Sequence, residues 1–285
     1  MQTLRECVEA FRNSKRAIGH FNISDSNQID AIARAAKETG LPAIIGLSEG
    51  EREYFPISHA RVLIEQYRAE GANLYLNADH TYGVEKVQEA IAAGVDSVVV
   101  DGAKLPFEQN VELLTAAVKY ARAAGRDILV EGELGYIGSS SSVMDSLPEG
   151  AAATEEMMTK PEELKHLIDE SGIDMAAPAV GNIHGIVRSG QPKLSISRIK
   201  LLAATVGVPL VLHGGSGSSD EEFVAAVDAG IAIIHINTDL RVLYRDGLER
   251  ELKTQENQVA PYKFLRPVVE DMQKYLAQKM QLFAQ

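Results

Sequence analysis

Short apolar segments and amphipathic segments alternate along the whole chain. Each apolar segment ends in a polar turn, and the stretch after it carries apolar residues at helical spacing. Nearly continuous apolar character is typical of strands in a parallel sheet that is covered by helices. The pattern predicts eight strands: Ala17–Asn22, Pro42–Ser48, Asn73–Asp79, Ser97–Asp101, Ile128–Leu134, Asp174–Val180, Pro209–His213 and Ala232–Asn237.

This alternation favours a closed architecture. Eight β–α units in a chain of 285 residues predict a (β/α)₈ TIM barrel, a single domain over residues 1–285. The rival is a doubly wound open sheet, which is disfavoured because no GxGxxG motif follows the first strand and the alternation never breaks. An additional C-terminal segment, PYKFLRPVVEDMQKYLAQKMQLF, is helix-periodic and longer than barrel closure needs. It is interpreted as a packed terminal helix or as an oligomer contact.

The longest predicted connection spans Gly135–Thr159 and is rich in serine and glycine. It is too long for a structural turn. Two interpretations remain open for it, an active-site lid and a surface loop.

Composition narrows the class of protein. Apolar residues make up 45% of the chain, and the net charge is -12. Such an acidic chain is a poor nucleic-acid binder, although a local site could still bind an anionic metabolite. The single cysteine, Cys7, excludes an intrachain disulfide and a cysteine-rich zinc module. No apolar run is long enough to cross a membrane and the first residues lack a signal core, so we expect a soluble cytoplasmic protein.

Polar residues gather at the predicted strand ends, where barrel enzymes have their active sites. Three of the seven histidines, His80, His184 and His213, follow three different strands. Neutral imidazole is a preferred zinc ligand, and a site of three histidines leaves a fourth position for water or substrate. Cobalt or another divalent ion could use the same ligands. The pattern therefore predicts a catalytic metal site. The other polar residues at these ends are Asn22, Ser48, Asp79, Asp101, Glu131, Glu133, His235, Asn237, Thr238 and Asp239.

Asp79 and His80 are adjacent, and adjacent side chains of a regular strand point to opposite faces. For both to serve one site, we expect the strand to end between them and the chain to turn at Thr81–Tyr82–Gly83. In the alternative interpretation, Asp79 caps the following helix.

The segment HGGSG, from His213 to Gly217, is the sharpest local motif. Its glycines would let backbone N–H groups approach an anion, and a helix predicted to begin near Ser219–Asp220 would add its positive end. Phosphate commonly binds at the loops after strands 7 and 8 of a barrel, and the loop with Asn237 and Thr238 supplies the second half. The alternative is two tight turns without a ligand.

Together these motifs resemble the class II, metal-dependent fructose-bisphosphate aldolases, including the tagatose-bisphosphate branch. The resemblance covers essentially the whole chain. It is carried, in order, by AIGHFNISDSNQIDAI, PAIIGLSEG, NADH, AIAAGVDSVVVDGAKLPFEQN, VEGELGYIG, AVGNIHG, PLVLHGGSG and HINTDLR.

The resemblance implies roles for the matching residues. His80, His184 and His213 would bind the catalytic zinc ion, and Asp79 would be the acid/base at the aldehyde-derived hydroxyl. Asp101 and Glu133 match positions that hold a second metal, or an alternative zinc position, in some members. The ketose-phosphate end would be held by Gly185, Gly214, Gly215, Ser216, Asn237 and Thr238, while Asn22 and Ser48 would line the substrate pocket. The family often uses a monovalent cation, Na⁺ or K⁺, near the phosphate.

Aldol cleavage moves electrons from the breaking C3–C4 bond toward the C2 carbonyl. Strand 6 ends in Ala-Pro-Ala-Val and offers no lysine for an imine. A zinc ion could instead bind the C2 and C3 oxygens and stabilise the ene-diolate as a Lewis acid. Asp79 would take the C4 hydroxyl proton in cleavage and return it in condensation.

Two segments depart from the family pattern. The chain reads Ile233-Ile234-His235 where the family usually has Lys-(Val/Ile)-Asn, so His235 stands in place of an asparagine that orients the dihydroxyacetone-phosphate part. In the loop, Ser139 to Ser142 intervene where the family usually has Gly-Gly and one or two acids. A lid glutamate has no obvious counterpart, and Asp145 and Glu149 are the substitutes considered.

The expected activity is reversible cleavage of fructose 1,6-bisphosphate to dihydroxyacetone phosphate and glyceraldehyde 3-phosphate. Tagatose 1,6-bisphosphate or a related ketose phosphate is the alternative substrate. A catalytically silent barrel that binds phosphosugars or serves as a partner subunit is the alternative from another class. The resemblance also implies a homodimer or homotetramer.

Overall fold

The computed structural model describes residues 2–138, 141–147 and 154–285. The helices are α1 Leu4–Asn13, α2 Ser26–Thr39, α3 Glu49–Tyr54, α4 Ile57–Ala69, α5 Val84–Ala92, α6 Phe107–Ala123, α7 Pro161–Ser171, α8 Ile196–Thr205, α9 Asp220–Ala229, α10 Thr238–Thr254 and α11 Pro261–Phe283. The strands are β1 Ile18–Asn22, β2 Ala43–Leu47, β3 Leu74–Thr81, β4 Ser97–Val100, β5 Leu129–Leu134, β6 Val143–Met144, β7 Met175–Pro178, β8 Ile186–Val187, β9 Leu210–Leu212 and β10 Ile231–Ile236.

Within the described residues, eight parallel strands close into a barrel in the order β1-β2-β3-β4-β5-β7-β9-β10. Six of these strands lie within predicted segments, while β3 and β10 overlap theirs but extend to Thr81 and begin at Ile231, so the predicted barrel is confirmed. The open-sheet alternative is wrong because β1 and β10 pair directly and leave no free sheet edge.

The interior of the barrel changes from apolar to polar along the strands. Successive side chains of a strand alternate between its two faces, so every second residue points inward. Near the strand starts, the inward residues form an apolar cluster with Leu4, Cys7 and Val8 of α1, which packs at this end. The next inward layer is polar and contains His20, Asn77 and Glu131, all buried. The barrel interior is therefore apolar at the end where α1 packs and polar toward the ends of the strands.

The prediction that β3 ends between Asp79 and His80 is wrong. The strand runs on to Thr81, and its register with β4 shifts between Ala78 and Thr81. His80 has a φ of +32°, a conformation that costs a non-glycine residue about 1–3 kcal/mol. An irregularity of this kind redirects side chains without ending the strand. Both side chains can therefore serve the same end of the barrel.

Part of the long connection is tied to the loop that follows β7. The short strands β6 and β8 pair in parallel, and the N–H of Ile186 donates to the carbonyl of Ser142. Neither strand is predicted from the sequence, because each contains only two residues. Asp145 forms an exposed ion pair with Arg188 at 2.8 Å. The predicted positions Ser139, Ser140 and Glu149 lie outside the described residues.

The C-terminal segment forms α11, which packs on its own barrel. Met272, Leu276 and Phe283 are buried there, and the carbonyl of Phe283 accepts a hydrogen bond from the N–H of Ala17 at 2.8 Å. This agrees with the packed-helix interpretation. Across the described parts of the chain, every helix is too short or too polar to span a bilayer.

We predict that Gly46→Ala destabilises the barrel. A Cβ on this inward-facing residue of β2 would overlap Cε1 and Nε2 of the buried His20 ring. Overpacking of this kind costs about 1–3 kcal/mol, which thermal unfolding would detect as a lower melting temperature. The control is Gly207→Ala, because no described atom lies within 4 Å of the added Cβ. An unchanged melting temperature for Gly46→Ala would show that His20 can move aside freely.

Candidate metal centre and substrate pocket

Three imidazoles converge at the polar end of the barrel. His80 lies at the irregularity in β3, His184 in the loop after β7 and His213 after β9. The ring centroids are 4.8 Å apart for His80 and His184, 5.2 Å for His80 and His213, and 5.7 Å for His184 and His213. One nitrogen from each ring lies within 4.8 Å of the others. The structure thus brings together the three histidines on which the sequence prediction rests.

Hydrogen bonds at the outer edges of these rings orient them. His184 Nδ1 is 2.9 Å from the carbonyl oxygen of Gly138, which can only accept, so this nitrogen carries the proton. His80 Nδ1 lies 3.0 Å from Asp101 Oδ2. In both rings Nε2 is then left as the nitrogen that could bind a cation. This arrangement, with the second nitrogen donating to a carbonyl or carboxylate, is usual for metal-binding histidines.

His213 is held between two carboxylates. Its Nε2 is 2.6 Å from Glu131 Oε1, and its Nδ1 is 2.8 Å from Glu133 Oε1. The second pair is close but not aligned as a hydrogen bond, so both atoms lack a hydrogen-bond partner among the described residues. Buried polar atoms without partners are costly, and a cation between these groups would satisfy them. Glu131 emerges as a positioning partner for His213, a role that the sequence did not assign.

The carboxylates around the rings shift the pKa values strongly. Burial opposes the charged form of His80, but Asp79, Glu133 and Asp101 outweigh it and raise its pKa to about 9. Despite burial, Glu133 and Glu131 raise the pKa of His213 well above its ordinary value. Burial and the two neighbouring imidazoles lower the pKa of His184 to about 4. The site therefore draws positive charge to itself, and a divalent cation would take the place of these ring protons.

Asp101 and Glu133 lie beside the three imidazoles, where the sequence places them. Together with His80 they form a second group whose ligand atoms lie within 4.8 Å of one another. Glu133 Oε1 is 3.7 Å from His80 Nδ1. His80 could therefore bind a cation together with His184 and His213, or together with Asp101 and Glu133.

Asp79 is buried next to the imidazoles. Its Oδ2 accepts a hydrogen bond from Asn22 Nδ2 at 2.8 Å, while its Oδ1 has no hydrogen-bond partner in the described part of the chain. Burial raises its pKa, but His80, His20 and His213 outweigh burial and lower it. The alternative in which Asp79 caps the next helix is wrong, because the N-cap residue of α5 is Gly83.

The two glycine-rich loops of the predicted phosphate site are connected to each other. The hydroxyl of Ser216 accepts hydrogen bonds from the N–H groups of Asn237, at 3.3 Å, and Asp239, at 3.2 Å. Gly214 has a φ of +61°, and a Cβ there would overlap the backbone of Ile183. The following helix begins at Asp220 with Ser219 as its N-cap, as predicted. The HGGSG segment therefore has a fixed backbone shape that glycine makes accessible.

Most of the predicted substrate-binding residues face one small cavity. It is lined by Asn22, Asp79, His80, Ser141, His184, Gly185, Gly214, Ser216, His235, Asn237 and Thr238. Gly215 is not among the described residues that line it, and its N–H donates to the carbonyl of His235 at 3.2 Å. Ser48 lines a larger adjoining cavity of about 240 Å³, together with Glu49, Lys104, Tyr136 and Arg241.

Sequence analysis missed Glu51, a buried carboxylate that contacts a lining residue of each cavity. Its Oε2 accepts hydrogen bonds from Asn22 Nδ2 at 2.9 Å and from the Ser48 hydroxyl at 2.9 Å, and its Oε1 pairs with Arg241 at 2.6 Å. Two of the predicted substrate-binding residues are therefore already linked to each other. The spacing Ser48-x-x-Glu51 is a helix-start signal that could have located this carboxylate.

His20 was also missed. Its ring stacks on that of His235, with centroids 3.5 Å apart and an interplanar angle of 5°. Burial lowers the pKa of His20 to about 4, and burial with the neighbouring imidazoles lowers that of His235 well below its ordinary value. A histidine on a largely apolar strand was the only available signal.

Comparison with known proteins gives one consistent result. The family model described as fructose-bisphosphate aldolase class-II matches residues 2–285. The fructose-bisphosphate aldolase of Geobacillus stearothermophilus is 32% identical over 285 residues, which cover 99% of this chain and 96% of that protein. The fructose-bisphosphate aldolase of Staphylococcus epidermidis is 30% identical with the same coverage.

Solved structures agree with this result. The YdjI aldolase from Escherichia coli K12 superposes with a TM-score of 0.82 at 26% identity, covering 99% of this chain and 97% of that one. A putative fructose-1,6-biphosphate aldolase from Coccidioides immitis superposes with a TM-score of 0.84 at 26% identity, covering 98% and 95%.

We predict that His184→Ala abolishes tight binding of zinc. Loss of a direct ligand should weaken zinc affinity by at least about 100-fold, since outer-shell partners alone are worth about 10–100-fold. Metal content per chain after dialysis against buffered zinc measures the effect. The control is His59→Ala, because His59 is an exposed histidine on α4. If parent and His184→Ala retain equal zinc, this imidazole is not a ligand.

Proposed function

The chain belongs to the class II fructose-bisphosphate aldolase family, whose members are metal-dependent lyases, and from this premise we propose that it reversibly cleaves a ketose bisphosphate. Fructose 1,6-bisphosphate is the first candidate, giving dihydroxyacetone phosphate and glyceraldehyde 3-phosphate. One observation carries the proposal. Asp79, whose Oδ1 has no hydrogen-bond partner among the described residues, lines the same cavities as His80 and His184, and ligand nitrogens of these two histidines converge with one of His213.

The three imidazoles suit a divalent cation. Two of them are oriented by acceptors at Nδ1, while His213 Nδ1 and Glu133 Oε1 are buried and have no hydrogen-bond partner in the described part of the chain. Zinc is the first candidate because it prefers nitrogen ligands, and cobalt could replace it. Such an ion would supply the Lewis acidity that draws electrons toward the substrate carbonyl. Asp101 and Glu133 are the candidate ligands for a second divalent ion or an alternative position.

Asp79 is proposed as the acid/base. In cleavage its carboxylate takes the proton of the C4 hydroxyl, the electron pair of the C3–C4 bond moves toward the C2 carbonyl, and C4 becomes the aldehyde carbon. In condensation the proton returns to the same oxygen. The lowered pKa of Asp79 supports this assignment, because a general base must be ionised when the substrate binds. Its hydrogen bond from Asn22 holds the other oxygen in place.

The ketose-phosphate end is assigned to the small cavity. Gly185, Gly214, Ser216, Asn237 and Thr238 all line it. The positive φ of Gly214 and Gly185 exposes backbone at a place where a phosphate could approach closely. A monovalent cation, Na⁺ or K⁺, beside this phosphate and a homodimer or homotetramer are further parts of the proposal, based on the family resemblance.

The activity is tested with purified zinc-loaded protein on fructose 1,6-bisphosphate and tagatose 1,6-bisphosphate, which differ at C4. We expect cleavage of at least one of them, detected by coupled measurement of dihydroxyacetone phosphate. Faster turnover of the tagatose epimer would assign the alternative substrate. If the protein holds stoichiometric metal and cleaves neither epimer, the ketose-bisphosphate proposal fails and a silent phosphosugar-binding barrel is favoured.

We predict that Asp79→Ala retains zinc but lowers kcat for cleavage by about 10²–10⁴, the range for loss of a general acid/base. Metal analysis and steady-state kinetics on the same preparation measure both quantities. Asp169→Ala is the matched control, since Asp169 forms an exposed ion pair with Lys165 on α7. Undiminished turnover in the Asp79 variant would remove this carboxylate from the reaction.

A further inference from the structure

Three histidine rings form a continuous stack inside the polar end of the barrel. His20 on β1 pairs in register with His235 on β10, and their rings are 3.5 Å apart and nearly parallel. The other face of His235 stacks on His213, with centroids 4.0 Å apart and an interplanar angle of 23°. The stack thus connects His213, a candidate metal ligand, through His235 to His20, which has no role in the proposed reaction.

The stack is not a second metal centre, although ligand atoms of His20, Asp79 and His235 lie within 4.8 Å of one another. The lone pair of an imidazole lies in the plane of its ring. An ion in the plane of one ring, at a zinc–nitrogen distance of about 2.0–2.1 Å, would lie far above the plane of a parallel ring. His20 and His235 therefore cannot bind one ion together.

His20 is fixed in place from two sides. Its Nε2 lies 3.1 Å from Asn77 Oδ1, and Asn77 Nδ2 donates to the Ser97 hydroxyl at 2.7 Å. The amide oxygen of Asn77 accepts from His20, so the proton of His20 is assigned to Nε2. Gly46 leaves the space that the ring fills. Among the described residues that line the two cavities, His20 is not included, so it contacts His235 and not the substrate space.

His235, in contrast, lines the small cavity and approaches the proposed acid/base. Its Nδ1 is 3.7 Å from Asp79 Oδ1, which has no hydrogen-bond partner among residues that the structure describes. This separation is too long for a direct hydrogen bond. A single oxygen atom about 2.8 Å from each atom would bridge them with ordinary geometry.

We propose that His235 and Asp79 bind the same substrate oxygen, the one that loses its proton in cleavage, and that His20 is a positioning residue that fixes the His235 ring. The proposal rests on the proposed aldolase function. In cleavage the hydroxyl proton passes to Asp79, and the N–H of His235 donates a hydrogen bond to the oxygen as it becomes the aldehyde carbonyl. No proton leaves His235. This differs from the role of the asparagine that the family usually has here, which acts on the dihydroxyacetone-phosphate part.

Two reactions distinguish a role of His235 at the oxygen that loses its proton from a role at the dihydroxyacetone-phosphate part. Cleavage of the ketose bisphosphate involves the shared oxygen, whereas exchange of a carbon-bound proton of dihydroxyacetone phosphate with D₂O does not. We expect His235→Ala to lower kcat for cleavage by about 10²–10³, as for loss of one donor to a developing charge, and to change exchange less than about threefold. Equal losses in both reactions would place His235 on the ketol part and overturn the proposal. A parent protein inactive in both would instead contradict the aldolase function itself.

The positioning role of His20 is tested by a double-mutant cycle. His20→Ala should lower kcat for cleavage by about tenfold with little change in KM, and should add nothing in the His235→Ala background, because residues that act as a unit are non-additive. His20→Phe, which keeps a stacked ring, should recover part of the loss. Additive losses, or no recovery with phenylalanine, would show that His20 does not act through His235.

Structural damage is monitored by zinc content and melting temperature, with His166→Ala as the matched control outside the stack. If the alanine variants do not fold, a crystal structure of Asp79→Ala with bound ketose bisphosphate decides the question. We expect the C4 oxygen within hydrogen-bond distance of His235 Nδ1. An oxygen placed elsewhere, with His235 against the phosphate or the ketol hydroxyl, would overturn the proposal.

Discussion

A surplus of buried carboxylates around three imidazoles is the interaction on which the site depends. Asp79, Glu131 and Glu133 are almost fully buried, and Asp101 reaches the same ring edges. Buried charges of one sign are unfavourable unless opposite charge compensates them. The same carboxylates raise the pKa values of His80 and His213, because a protonated imidazole would compensate the buried negative charge. The same negative charge makes the centre suitable for a divalent cation.

The barrel can hold this cluster of buried charged groups because its apolar and polar side chains lie in separate layers. Residues from α1 and the strand starts form a dry cluster at one end, and the inward positions one step further along are polar. The closed sheet leaves no free edge, so every barrel strand pairs with a neighbour on both sides. The irregularity at Asp79 and His80 is the local exception, where a strained backbone brings two neighbouring side chains to one place.

Side chains behind the cavity walls connect the predicted groups to one another. Glu51 links Asn22 to Ser48 and Arg241, and Asn22 in turn reaches Asp79. On the other side, Asn77 and His20 support the ring of His235. Such supporting contacts restrict the rotamers of the groups that would meet the substrate, which is what precise positioning requires.

The sequence by itself determined the eight strands, the closed architecture and the identity of the residues at the strand ends. It could do so because continuous apolar segments indicate strands buried on both faces, and helical spacing indicates the buried face of each helix. In addition, the strand ends of a parallel barrel meet at one face. That geometry predicts that His80, His184 and His213 lie at one end of the barrel. The HGGSG backbone shape and the helix start at Ser219 were equally readable, since glycine and capping residues act locally.

Only the tertiary structure decided how the side chains at the polar end of the barrel are arranged relative to one another. Three features show this: the backbone irregularity at His80, the contact between Glu131 and His213, and the stacking of His20 on His235. Each of them joins residues that are distant in sequence or depends on the closure of the barrel. The two-residue strands β6 and β8 were equally hidden, because segments so short have no periodicity of their own. Local patterns specify which face a side chain occupies, whereas ring planes, hydrogen-bond partners and unpartnered atoms depend on packing between elements.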